Sequence, residues 1–133
     1  MPSPLALAIA TFTRFDDEKP AIHTLAESGH ARLLLVCLKA GQVLKDHKSA
    51  SQVTAHFLRG SGVFAVDGTP AQAEPGTIFL VEPGRFHRIS ASTECVVLVI
   101  LTPHPAGERY PRDQRDRIVS ATTPQAGGRE PAA

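Results

Sequence analysis

Residues 41–60, GQVLKDHKSASQVTAHFLRG, and residues 76–87, GTIFLVEPGRFH, decide how this chain folds. Each opens on a glycine and carries one histidine in the matching place, His47 in the first and His87 in the second. Glycines at the edges of short apolar runs mark tight turns, because a residue without a Cβ tolerates positive φ. Between the two stretches, Val63-Phe64-Ala65-Val66 runs into Asp67-Gly68, a dipeptide suited to a two-residue hairpin turn.

Working outward, the same rhythm continues on both sides. Arg32 to Lys39 (RLLLVCLK) is a dense apolar run that stops at Ala40-Gly41, as a buried strand would. Val53 to Leu58, Thr77 to Val81, Phe86 to Ile89 and Glu94 to Leu101 are further strand-length segments, bounded by glycine or proline at one end or both. Turn signals recur at intervals of about ten residues and no 3.6-residue apolar period is sustained, which predicts an all-β sandwich or barrel rather than βαβ units.

The ends read differently. Residues 1–29 form an N-terminal segment with an acidic patch, Asp16-Asp17-Glu18, and a possible edge strand at Ala21 to Leu25. Residues 30–103 hold the barrel. Residues 104–133 are a polar tail containing proline and arginine, with room for a short helix near Arg112 to Val119 and an expectation of disorder beyond it.

Composition narrows the function. The chain has 133 residues, 42% of them apolar and a fifth charged, enough for one domain with one core. A formal net charge of +1 and an aromatic content of 5%, with no tryptophan, argue against nucleic-acid binding. The longest apolar run, residues 95–101, is far shorter than the roughly 20 residues a membrane helix needs. Leu5-Ala6-Leu7-Ala8-Ile9-Ala10 lacks a preceding lysine or arginine, which disfavours a secretory signal and makes the cytoplasm the expected compartment. Cys37 and Cys95 both lie in apolar runs, as buried free thiols do, and their surroundings disfavour a nucleophilic role.

The two opening stretches resemble the paired motifs of the cupin superfamily. Its first motif sets a glycine before His-x-His, then a glutamate and a closing glycine; Gly41, His47 and Gly60 match, whereas Ser49 stands at the second histidine and Val53 at the glutamate. Its second motif is matched by Gly76, Gly84 and His87, with Glu82 in place of a proline and Ala91 in place of the last asparagine. The resemblance implies a single-domain jelly-roll β-barrel and a homodimer. It also implies a site of three histidines and a carboxylate that binds iron, manganese, nickel or zinc.

This chain retains His47 and His87 from that set. Two imidazoles fall short of the three protein ligands that catalytic sites usually supply, so remnant histidines satisfied by hydrogen bonds to each other, to water or to backbone carbonyls, or an organic-ligand pocket, are favoured over a bound divalent metal. Strand alternation puts Ser49, Val53, Ala55 and Phe57 on the same inward face as His47, and turns Asp46, Gln52 and His56 away. Glu82 would join the histidines only if its loop folds over the barrel mouth. Lys45 and Arg85 flank the histidines and would attract a carboxylate or phosphate if they face the mouth, although solvated loop charges are the plainer reading. The leading expectation is a small-molecule binding or regulatory protein with a degenerate metal site. The alternatives are a metal-dependent dioxygenase or isomerase using His47 and His87, and an interaction module acting through the tail.

Overall fold

The computed structural model describes residues 5–105 throughout and, beyond them, the backbone at residues 113–114 and 116–117. Among the described residues there is no α-helix, only a short 3-10 turn at Ile9–Thr11. The strands are β1 (Ala21–Glu27), β2 (Arg32–Leu38), β3 (Val43–His47), β4 (Gln52–Arg59), β5 (Gly62–Val66), β6 (Thr69–Ala73), β7 (Ile78–Val81), β8 (His87–Ala91) and β9 (Cys95–Thr102). They form a five-stranded sheet, β1-β2-β9-β4-β7, facing a four-stranded sheet, β3-β8-β5-β6, and every pairing is antiparallel. This is an all-β jelly roll.

Two apolar clusters explain why β2 and β9 read as unbroken apolar runs. One face of these strands (Leu34, Val36, Leu38, Cys95, Val97, Val99 and Leu101) lines the space between the sheets, with Val53, Ala55 and Phe57 of β4. The other face (Leu35, Cys37 and Val96) is covered by Leu7, Ile9, Phe12 and Phe15 of the N-terminal segment. Hydrophobic burial on both faces removes the polar alternation expected of a half-exposed strand. The N-terminal cover is tied down by Gln42 Nε2 donating to the Asp16 carbonyl at 2.8 Å and by the Lys39–Asp17 ion pair at 2.5 Å. Toward β7 the cover ends, and Ile78 and Leu80 stand 59% and 61% exposed.

Cys37 and Cys95 are free and buried, and they belong to opposite clusters although their strands are neighbours. The edge strand foreseen at Ala21 to Leu25 runs on to Glu27 and is bulged between Thr24 and Ala26. Asp113–Gln114 and Asp116–Arg117 pair antiparallel where a short helix was considered, in keeping with the marginal stability of short isolated helices; the rest of the tail lies outside the described residues.

Gly60, which closes the first motif, shows why that motif specifies architecture. Its φ is +82°, and a Cβ there would lie 1.9 Å from the Glu94 carbonyl oxygen, so only glycine lets the β4–β5 turn pass the start of β9.

Candidate functional site

The two histidines meet because they are register partners. His47 ends β3, His87 begins β8, and they stand directly opposite each other in the ladder. Simple alternation from Leu44 would turn His47 outward, yet both are buried; an irregularity in β3 between them restores the inward face. The ring centroids are 4.2 Å apart and the planes make 62°, an edge-to-face contact. Exposure is 3% for His47 and 1% for His87.

Each ring is oriented by the backbone two residues upstream. His47 Nδ1–H donates to the Lys45 carbonyl at 2.7 Å, and His87 Nδ1–H donates to the Arg85 carbonyl at 3.3 Å. A carbonyl can only accept, so in the neutral ring of His87 the proton sits on Nδ1 and Nε2 carries the lone pair. That Nε2 is buried with no hydrogen-bond partner among the described residues. Burial drives the His87 pKa down to about 4 against smaller opposing effects from the Arg85 carbonyl and Asp67, so the ring is neutral at physiological pH.

The surroundings are apolar and aromatic. Phe64 lies nearly parallel to His87 at 6.0 Å between centroids and stacks on Phe79 at 4.5 Å, which in turn meets Phe57 edge-on at 6.0 Å. Val53, Ala55 and Phe57 are fully buried on the inner face of β4, where alternation put them. The shift in β4 register comes after Phe57, so it does not turn His56 inward.

Ser49 and Ser51 occupy the loop from β3 to β4, and both are buried. Ser49 Oγ accepts from the Ser51 N–H at 3.0 Å, and the Ser49 carbonyl accepts from Gly84 N–H at 2.8 Å. The Ser51 hydroxyl donates to the Pro103 carbonyl at 2.5 Å. At the position of the second motif histidine, this chain has a residue that joins the two histidine loops together. Ser51 was not singled out from the sequence, because a lone serine in a polar loop carries no pattern.

The charged candidates stay outside. Glu82 is exposed, with its carbonyl accepting from Arg85 N–H at 3.3 Å in the turn. Among the described residues no three His, Cys, Asp or Glu side chains gather closely enough to hold a metal ion, so Glu82 does not complete the histidine pair. Arg85 is tied to the Asp67 carboxylate, and Lys45 is exposed on β3. Lys48 lies 5.0 Å from the centroid of the exposed Phe86 ring, and Arg88 pairs with Asp46 at 3.8 Å. The three-histidine, one-carboxylate set does not fit these residues: two imidazoles are present, a serine hydroxyl engaged in its own loop replaces the third donor, and a buried valine replaces the carboxylate.

A two-sheet antiparallel barrel with glycine-bounded loops and an inward imidazole pair at one end defines a cupin-type container. The Cupin domain family matches residues 34–101, just over half of the chain, and the chain belongs to that family. It is similar in structure to an RmlC-like cupin protein from Desulfovibrio desulfuricans, at 29% identity and a TM-score of 0.66, covering 78% of this chain and 98% of that one. It is also similar to an uncharacterised double-stranded β-helix protein from Klebsiella pneumoniae, at 17% identity and a TM-score of 0.73, covering 79% and 95%. A protein from Thermus thermophilus aligns at 24% identity and a TM-score of 0.70, covering 75% and 98%. No curated protein matches the chain. Among the described residues no helix is long and apolar enough to cross a membrane.

Proposed function

We propose that this cupin is a small-molecule binding or regulatory protein whose metal site has degenerated, and that the imidazole pair anchors a small amphipathic ligand. The observation that carries the reading is the buried Nε2 of His87, a neutral acceptor with no hydrogen-bond partner among the described residues, beside the rings of His47 and Phe64. A buried acceptor left unpaired costs about 1–3 kcal/mol. A ligand with one hydroxyl or N–H on an apolar body relieves that cost and suits the aromatic neighbours. Ser49 and Val53 in the places of an imidazole and a carboxylate support the same reading.

Phenol and toluene are the probes. Phenol is expected to perturb the His87 ring resonances and to bind about tenfold more tightly than toluene, which lacks the donor. Equal affinities, or no phenol binding, would remove the reading. One equivalent of a transition metal per chain that survived dialysis would replace it with the metal-dependent enzyme. A homodimer through the outer face at Ile78 and Leu80 is supported by their exposure; light scattering is expected to show a dimer that Leu80→Lys converts to a monomer, and an unchanged mass would reject that interface. The interaction role considered for the tail falls outside the described residues.

A further inference from the structure

Asp67-Gly68 forms the tight turn that the sequence predicts between β5 and β6. In the structure it also reaches the segment that delivers His87. Val66 is the register partner of His87, so the next residue, Asp67, comes to lie beside Phe86. Asp67 has φ +48°, a conformation that aspartate, asparagine and glycine adopt more readily than other residues. Its backbone N–H donates to the Phe86 carbonyl at 2.8 Å. One carboxylate oxygen accepts from Phe86 N–H at 2.9 Å, and the other accepts from Arg85 Nε.

The Phe86 N–H and the Arg85 carbonyl belong to one peptide group. The carboxylate therefore holds the amide end of the same peptide plane whose carbonyl end receives His87 Nδ1–H. Hydrogen bonds at both ends of a peptide polarise it in the same sense, and each strengthens the other. The Arg85 side chain and the Phe86 amide also keep the Asp67 carboxyl below its ordinary pKa, so it is ionised at neutral pH.

We propose that Asp67 is the positioning residue of the site: through the Arg85–Phe86 peptide it fixes the tautomer and orientation of His87, so that Nε2 is the atom offered to a ligand's hydroxyl or N–H. The consequence for ligands rests on the function proposed above, but the action of Asp67 on His87 does not need a ligand and is tested without one. It joins the hairpin to the site through a single peptide and requires no contact between Asp67 and the histidine ring.

The test uses the full chain labelled with ¹⁵N-histidine, in the parent and in two variants that suit the turn. Asp67→Gly keeps the left-handed backbone and removes the carboxylate; Asp67→Asn keeps an oxygen acceptor in a turn that favours asparagine. In the parent at neutral pH, His87 is expected to show a protonated Nδ1 and an unprotonated Nε2, with slow exchange of the Nδ1–H. Asp67→Gly is expected to average that pattern and to speed the exchange by about tenfold, the consequence of weakening one hydrogen bond. Asp67→Asn is expected to retain the parent pattern, and His47 is expected to be unchanged in both. A parent-like His87 in Asp67→Gly would overturn the proposal. So would an Asp67→Asn protein that behaves like the glycine variant, because charge and not the grip on the peptide would then be at work. Phenol binding is measured separately, so failure of the ligand reading and failure of the positioning role give different results.

Discussion

His47 and His87 face each other across one ladder and use the same backbone device, but they are held differently. His47 sits at the end of a bulged strand and makes a short bond, 2.7 Å, to a carbonyl of its own strand. His87 makes a longer one, 3.3 Å, to a loop peptide that Asp67 grips from a separate hairpin. The first ring's bond lies within its own strand, whereas the peptide that receives the second ring's bond is gripped by a residue distant in sequence. It is the second whose remaining nitrogen is buried without a partner among the described residues. A histidine placed by long-range contacts can thus carry an unmet hydrogen-bonding need that the rest of the fold stabilises, as functional sites often do.

The largest effect is expected from supplying what the pair lacks. Ser49→His with Val53→Glu introduces an imidazole and a carboxylate at two buried positions. If Ser49 faces the pair as Val53 does, the double variant should retain about one zinc or nickel ion per chain after dialysis, with the parent retaining far less. Val53→Glu alone should lower stability by several kcal/mol, about the cost of burying an unpaired carboxylate, and metal should restore part of that loss in the double variant. If the double variant took up no more metal than the parent, the ring geometry at 4.2 Å would not be that of a site missing only its ligands.

Much of this was legible in the sequence, for reasons that can be named. Glycine spacing announced the turns because Gly60 has no sterically acceptable substitute. Alternation placed Val53, Ala55 and Phe57 inside because β4 is regular over those residues. The irregularity in β3 was not foreseen, since nothing in Lys45-Asp46 distinguishes a bulge from a continuing strand. The N-terminal cover was missed because Leu7, Ile9, Phe12 and Phe15 follow no strand or helix period; they fit a sheet face that exists only once β2 and β9 are paired. Asp67 was visible as a turn former, but its carboxylate matters through Phe86, and that contact follows from the register of β5 on β8.

A smaller effect of His87 depends on pH. The folded-state pKa of His87, about 4, lies below its ordinary value of 6.5, so the unfolded chain takes up the proton first as pH falls. Its stability contribution is complete above the unfolded value and is lost as pH falls toward the folded one. By linkage, the His87 share of that loss is about 2 kcal/mol between about pH 7.5 and about pH 5. Chemical denaturation of His87→Leu should lack this part of the acid sensitivity. At the upper pH the same variant should differ little from the parent, because it removes an unpaired acceptor along with one hydrogen bond. His47→Leu loses its 2.7 Å bond and leaves the Lys45 carbonyl without that donor, which should cost about 1 kcal/mol at the upper pH. If His87→Leu were instead the more damaging change at the upper pH, the free nitrogen of His87 would be supporting the fold. The proposed division between a ring kept for structure and a ring kept for a ligand would then be reversed.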